Sequence, residues 1–190
     1  MAIIGCKDEG INYDDTRIVE GKCYLKRDMS LVSGTVKDFL LNTNQITFQG
    51  NYKDGNAVGV HESWHDNGQL WFVENYKDGK EDGIQKEWYE SGQLEAERNY
   101  KEGKEDGVQK EWHENGQLET EANYKNGKED GVQKEWYENG QMEAEYNYKD
   151  GIEDGVQKEW YENGQLSEEQ TYKAGKLISK KIWDEDGNEK

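Results

Sequence analysis

The chain has 190 residues and a formal charge of −18, from 42 acidic against 24 basic side chains. That imbalance excludes direct binding to nucleic acid, where each phosphate contact needs Lys or Arg, and it works equally against an anionic membrane surface. A mean hydropathy of −1.28 would by itself suggest disorder, but seven Trp and twelve Tyr in strict placement point to a folded chain with a thin core.

The N-terminal stretch is the least regular. Ile18-Val19 and Cys23-Tyr24-Leu25 are predicted as short strands with Arg27-Asp28 in a turn, so residues 1–30 are expected to cap the open end of the repeats downstream. Cys6 and Cys23 are too few for a disulfide framework. The I-I-G-C at Ile3 to Cys6 is similar to the end of a bacterial lipoprotein signal, yet no charged and apolar stretch precedes it. The expectation is a cytoplasmic protein, with an envelope lipoprotein as the alternative if a signal upstream of Cys6 was removed. No run approaches the roughly 18 apolar residues of a membrane helix.

From residue 31 to 183 the chain repeats itself. Tyr100, Tyr124, Tyr148 and Tyr172 fall 24 residues apart, as do Trp88, Trp112, Trp136 and Trp160, which marks a repeat architecture whose units must stack to bury anything. Units begin near Gly34, Gly59, Gly83, Gly107, Gly131 and Gly155. In the first, Phe39 stands where later units carry Trp, and the spacing of 25 to the next requires a bulge or a longer turn. Residues 176–190 are a degenerate copy that closes the array as a second cap.

Each unit holds two alternating runs, Val108 to His113 and Gln117 to Lys125, divided by glycine turns, the signal of a β-hairpin. Helix competes weakly, since glycine interrupts every run. A two-residue loop at Asn115-Gly116 would pair Trp112 with Glu119. A three-residue loop, Glu114-Asn115-Gly116, pairs Trp112 with Leu118 and puts Val108, Trp112, Leu118, Ala122 and Tyr124 on one face. The fold expected is all-β: an elongated, single-layer antiparallel meander of 24-residue hairpins, twisted or coiled, with one aromatic and one charged face. Successive Trp residues then stand about 10 Å apart, too far for direct ring contact. Coiling, or a homodimer, would cover that face.

Nothing in the chain assembles chemistry. The carboxylate pairs Glu111 and Glu119, or Glu135 and Glu143, recur from unit to unit, whereas an active site needs one unique constellation. No catalytic residue, metal site or cofactor is read from His61, His65, His113 or the turn glycines. The differences between units say more. His65, Tyr89, His113, Tyr137 and Tyr161 come directly after the Trp, and are expected on the charged face beside Glu87, Glu111, Glu135 and Glu159, a combination suited to a basic protein surface. Trp71 replaces the Glu95, Glu119 and Glu143 of other units and is a candidate interface anchor. The column Glu74, Arg98, Ala122, Tyr146, Gln170 varies without an evident pattern.

The sequence G-x-x-x-x-W/Y-Y-E-N-G-Q-L, and after it Y-K-D-G-K-x-D-G, resembles the MORN-variant repeat of bacterial proteins over about residues 31–183. The resemblance implies β-hairpin sheets that bind proteins or lipids, and members similar to this chain are described as antitoxin-like. The leading expectation is a non-catalytic antitoxin or immunity-type inhibitor that blocks a basic partner, such as a toxin or nuclease, with its carboxylates standing in for phosphates. The alternatives are a structural or envelope scaffold and, more weakly, a phage-encoded nucleic-acid mimic acting on a host defence nuclease.

Overall fold

A computed structural model of the chain describes residues 10–190, which places Cys6 outside the described residues. Apart from a single 3₁₀ turn at Tyr13–Asp15, the regular elements of the described residues are all strands. They form two compact units, the first ending at Asp82 and the second running from Gly83 to Lys190.

In the first unit the hairpin Thr16–Val19 and Lys22–Leu25 is a small sheet of its own. The main sheet consists of Gly34–Phe39, Ile46–Lys53, Asn56–Trp64 and Leu70–Lys77 in antiparallel order. Ile11–Asn12 pairs parallel with its first strand, Ile11 opposite Val36. Cys23 N donates to Gly55 O and Gly55 N to Val32 O, both at 2.7 Å, which stitches the small hairpin to a turn of the main sheet. Cys23, Val32 and Val36 are almost wholly buried there, with Ile11, Leu25, Phe48 and Tyr52 packed on them. Burial of each Val contributes roughly 1.5–3 kcal/mol. The irregular spacing after Phe39 is a longer turn: Phe39 pairs with Ile46, leaving Leu40 to Gln45 between them, against His113 to Gln117 in a regular repeat.

The second unit is a meander of near-identical hairpins. Gly107–Trp112 pairs with Leu118–Lys125, Gly131–Trp136 with Met142–Lys149, and Gly155–Trp160 with Leu166–Lys173. The turn is the expected three-residue loop. Gly116 N donates to His113 O, His113 N to Gln117 O, and Gly116 takes φ +85°, the left-handed position where glycine costs least. At the opposite end Asn126-Gly127 makes a two-residue turn with φ +52° and +80°, matching the twist of the strands it joins.

Between hairpins the ladder opens, and a side-chain clasp closes it. Gln109 Oε1 accepts from Asn99 N at 2.7 Å and its Nε2 donates to Asn99 O at 2.9 Å, while the Asn99 amide donates back to Val108 O. Gln157 and Asn147 repeat the arrangement. In the first unit His61 holds the same position and its Nε2 bonds Asn51 O at 2.8 Å. The recurring Gln and Asn thus satisfy strand groups that would otherwise lack partners.

The expected division of faces is corrected by a bulge. Trp112 does pair with Leu118, but Glu111 pairs with Thr120, so Glu119 is an extra residue. The same bulge falls at Trp71, Glu95, Glu143 and Ser167. One added residue inverts every side chain beyond it. Ala122 therefore lies opposite Gln109, and Tyr124 opposite Gly107, while Val108 is opposite Asn123. Val108, Trp112 and Leu118 do not share a face with Ala122 and Tyr124. Both faces carry aromatic and charged residues.

Candidate functional site

The corrected register sorts charge within the second unit. On one face a row crosses the sheet as Lys86, Glu97, Lys110, Glu121, Lys134, Glu145, Lys158, Glu169, Lys181, each opposite the next. Lys86–Glu97 and Lys110–Glu121 close to 3.1 Å, and Lys158–Glu169 to 3.7 Å. That row is close to balanced, five lysines against four glutamates, and its pairs are of the exposed kind that contribute little singly.

The adjacent row, on the other face, reads Glu87, Ala96, Glu111, Thr120, Glu135, Ala144, Glu159, Glu168. As far as Glu159 its carboxylates alternate with small side chains, and Ala96 and Ala144 are almost fully buried between them. Glu105, Glu129 and Glu153 lie on this face too, opposite Tyr100, Tyr124 and Tyr148. Burial, and then the neighbouring Glu105 carboxylate, push the Glu129 pKa up. Two cations enter the face: Arg98, which bonds Glu87 at 3.1 Å and Glu111 at 2.5 Å, and Lys180, which pairs with Glu168 at 2.7 Å.

The aromatic residues expected beside these glutamates are tied down. Tyr89 OH donates to Trp112 O at 2.8 Å, Tyr137 OH to Trp160 O at 2.7 Å and Tyr161 OH to Trp183 O at 3.0 Å. His113 Nε2 bonds Trp136 O at 2.7 Å, and its Nδ1 lies 3.5 Å from Glu119. Each ring links one repeat to the next through its polar tip. Tyr137 and Tyr161 share a pocket with Glu135 and Glu159.

Trp71 and His65 belong to the first unit. Trp71 occupies the bulge and is 43% exposed. His65 stacks on it with ring centroids 5.5 Å apart, and Phe72 approaches to 4.7 Å. An open recess of about 480 Å³ beside it is lined by Trp64, Phe48, Tyr52 and Tyr76 with Asp38 and Glu74. His61 stands among these rings, 5.0 Å from Tyr52 and 4.7 Å from Tyr76, and burial holds its pKa below the usual histidine range.

The column that varies without evident pattern in the sequence runs, in the second unit, down the middle of the acidic face. Arg98, Ala122, Tyr146 and Gln170 lie opposite Gln85, Gln109, Gln133 and Gln157, and in the first unit Glu74 lies opposite His61. This is the place where local carboxylates find a partner: Tyr76 OH donates to Glu74 at 3.2 Å, Arg98 neutralises two glutamates, and Tyr146 OH donates to Glu159 at 3.1 Å. The signal was the variation itself, at a fixed place in an otherwise constant repeat. Its meaning depended on knowing the face.

Among the described residues no three acidic, histidine or cysteine side chains converge closely enough to hold a metal ion. A family model described as a MORN repeat variant matches residues 57–78, 81–102, 105–126, 129–150 and 153–174. No curated protein matches the chain.

Proposed function

The chain belongs to the MORN repeat variant family, and from that premise we propose that it is a non-catalytic binding protein of the antitoxin or immunity type, blocking a basic partner. The observation that supports this is the sorting of charge. Lys and Glu alternate to near balance on one face, and glutamates with few counter-ions line the other. An even solvating surface would have no need to separate them. A face of this kind attracts a basic surface, raises the rate of encounter and repels nucleic acid. A nuclease or another toxin whose own site binds phosphate fits that description. In the first unit Trp71, braced by His65, supplies an exposed anchor of the kind that concentrates binding energy.

The test is capture of partners from native lysate on the tagged protein, washed with rising salt. A basic protein that elutes as salt rises, and whose capture is weakened tenfold or more by Trp71→Ala with Tyr137→Ala, supports the reading. Capture that ignores both salt and these substitutions overturns it, because exposed charge pairs are screened.

A second reading, a scaffold whose repeats act as spacers, draws on the bonds that consume the Tyr and His column between repeats. It is favoured if the column recovers nothing, or only further copies of the chain.

A further inference from the structure

The second unit contains one site with its cation in place and, two repeats further on, the same site without it. At the first, Arg98 reaches between Glu87 and Glu111 over the floor of Ala96. Its guanidinium neutralises two carboxylates at once, and its planar fork of N–H donors is suited to that geometry. At the second, Glu135 and Glu159 flank Ala144 in identical register. Tyr146 stands where Arg98 would be, and a pocket of about 280 Å³ opens, lined by Glu135, Glu143 and Glu159 with Tyr137, Tyr146 and Ala144.

The donors present there are neutral. Tyr146 OH bonds Glu159 at 3.1 Å and Gln133 Nε2 bonds Glu135 at 2.7 Å, so hydrogen bonds are made but charge is not cancelled. Gln133 has left the clasp that Gln109 and Gln157 form with the preceding strand, and its Oε1 is buried without a partner. Burial and the nearby Glu135 carboxylate raise the pKa of Glu143. The carboxylates do not converge tightly enough for a metal ion, which leaves a broader cation carrying several N–H donors, able to rest against the tyrosine rings.

We propose that this pocket receives the guanidinium of an arginine side chain from the partner protein, seated between Glu135 and Glu159 as Arg98 is seated between Glu87 and Glu111. The proposal names the chemistry by which the acidic face would recognise a basic partner, and in that sense rests on the binding-protein reading.

A blocked Gly-Arg-Gly tripeptide, titrated into the full chain and monitored by NMR at Ala144 and Tyr146, tests the pocket without any partner. The expected result is a saturable shift at these two residues, at least fivefold tighter than with Gly-Lys-Gly and lost in Glu135→Gln with Glu159→Gln. Tyr146→Arg fills the pocket from within and should abolish the response while the rest of the spectrum stays native. Arg98→Tyr, which copies the open site at the occupied one, should create a second response at Ala96. Equal binding of the lysine peptide, a response unchanged by Tyr146→Arg, or displacement of the peptide by stoichiometric calcium would each overturn the proposal. A pocket that binds arginine in a chain that captures no basic protein would sink the partner reading and leave the pocket standing. Capture of a basic protein by a chain with a silent pocket would do the reverse.

Discussion

Arg98 and Tyr146 occupy the same place in two copies of one repeat, between carboxylates supplied by neighbouring strands, and they settle the electrostatics in different ways. Arg98 brings Glu87 and Glu111 a full positive charge. Tyr146 brings Glu159 a hydroxyl, leaving the negative charge of its site to be met from outside. In this array the constant residues build the sheet, and the variable column decides how the carboxylates around it are partnered. Gln, Asn and Gly repeat because they close ladders and turns. Position 98 and its equivalents change because the space between two glutamates can be filled by a base, a small residue or a ring without disturbing the backbone.

The largest effect should come from removing the occupied site. Arg98→Ala leaves Glu87 and Glu111 facing each other on a half-buried surface, and should cost about 2 kcal/mol in a denaturant titration, discounted from a fully buried pair by the solvent that reaches it. The converse change, Tyr146→Arg, should gain about 1 kcal/mol, and a loss instead would show the two sites are not equivalent.

Close behind is Gly50→Ala, at the equivalent place in the first unit. A Cβ there would lie 2.7 Å from both His61 Nδ1 and the Phe48 ring, so the rings must shift, at a cost of about 1–3 kcal/mol in thermal or chemical unfolding.

Acid should separate the two units. His61 is held neutral by burial, with a folded pKa below the unfolded value. The stability this reflects is complete above the ordinary histidine pKa, about 6.5, and declines as pH falls from there toward the folded value. Glu129 and Glu143 have raised pKa values. Their contribution is fully present below the ordinary glutamate pKa, about 4.3, and is lost as pH rises through the folded values. Hydrogen exchange compared at pH 7 and 5 should show protection falling in strands around His61 and rising around Glu129 and Glu143. A uniform change would break the contrast.

The smallest effect is expected at a turn. Ala174 sits at φ +49°, where a side chain is strained, and Ala174→Gly should raise stability by roughly 0.5 kcal/mol, visible as a small rise in Tm.

Much of this was legible in the sequence for definite reasons. The spacing of Trp88, Trp112, Trp136 and Trp160 gave the period, and the N-G or S-G of the regular units gave the turn, since only certain residues accept its backbone angles. Pairing of Trp112 with Leu118 followed from the three-residue loop, although the single apolar face that favoured that loop is divided by the bulge. The sequence also brought forward Glu87, Glu111, Glu135 and Glu159 as a row, because they recur in phase. Tertiary structure decided which residues stand with them. The side-chain period of a strand is two, so face assignment depends on counting every residue, and one bulge at Glu119 reverses the count. No local property marks Glu119 as the extra residue. It is fixed by how two strands pair once the turn is set, and with it the separation of a balanced Lys–Glu row from an acidic one, the company Tyr124 keeps, and the site that Arg98 fills and Tyr146 leaves open.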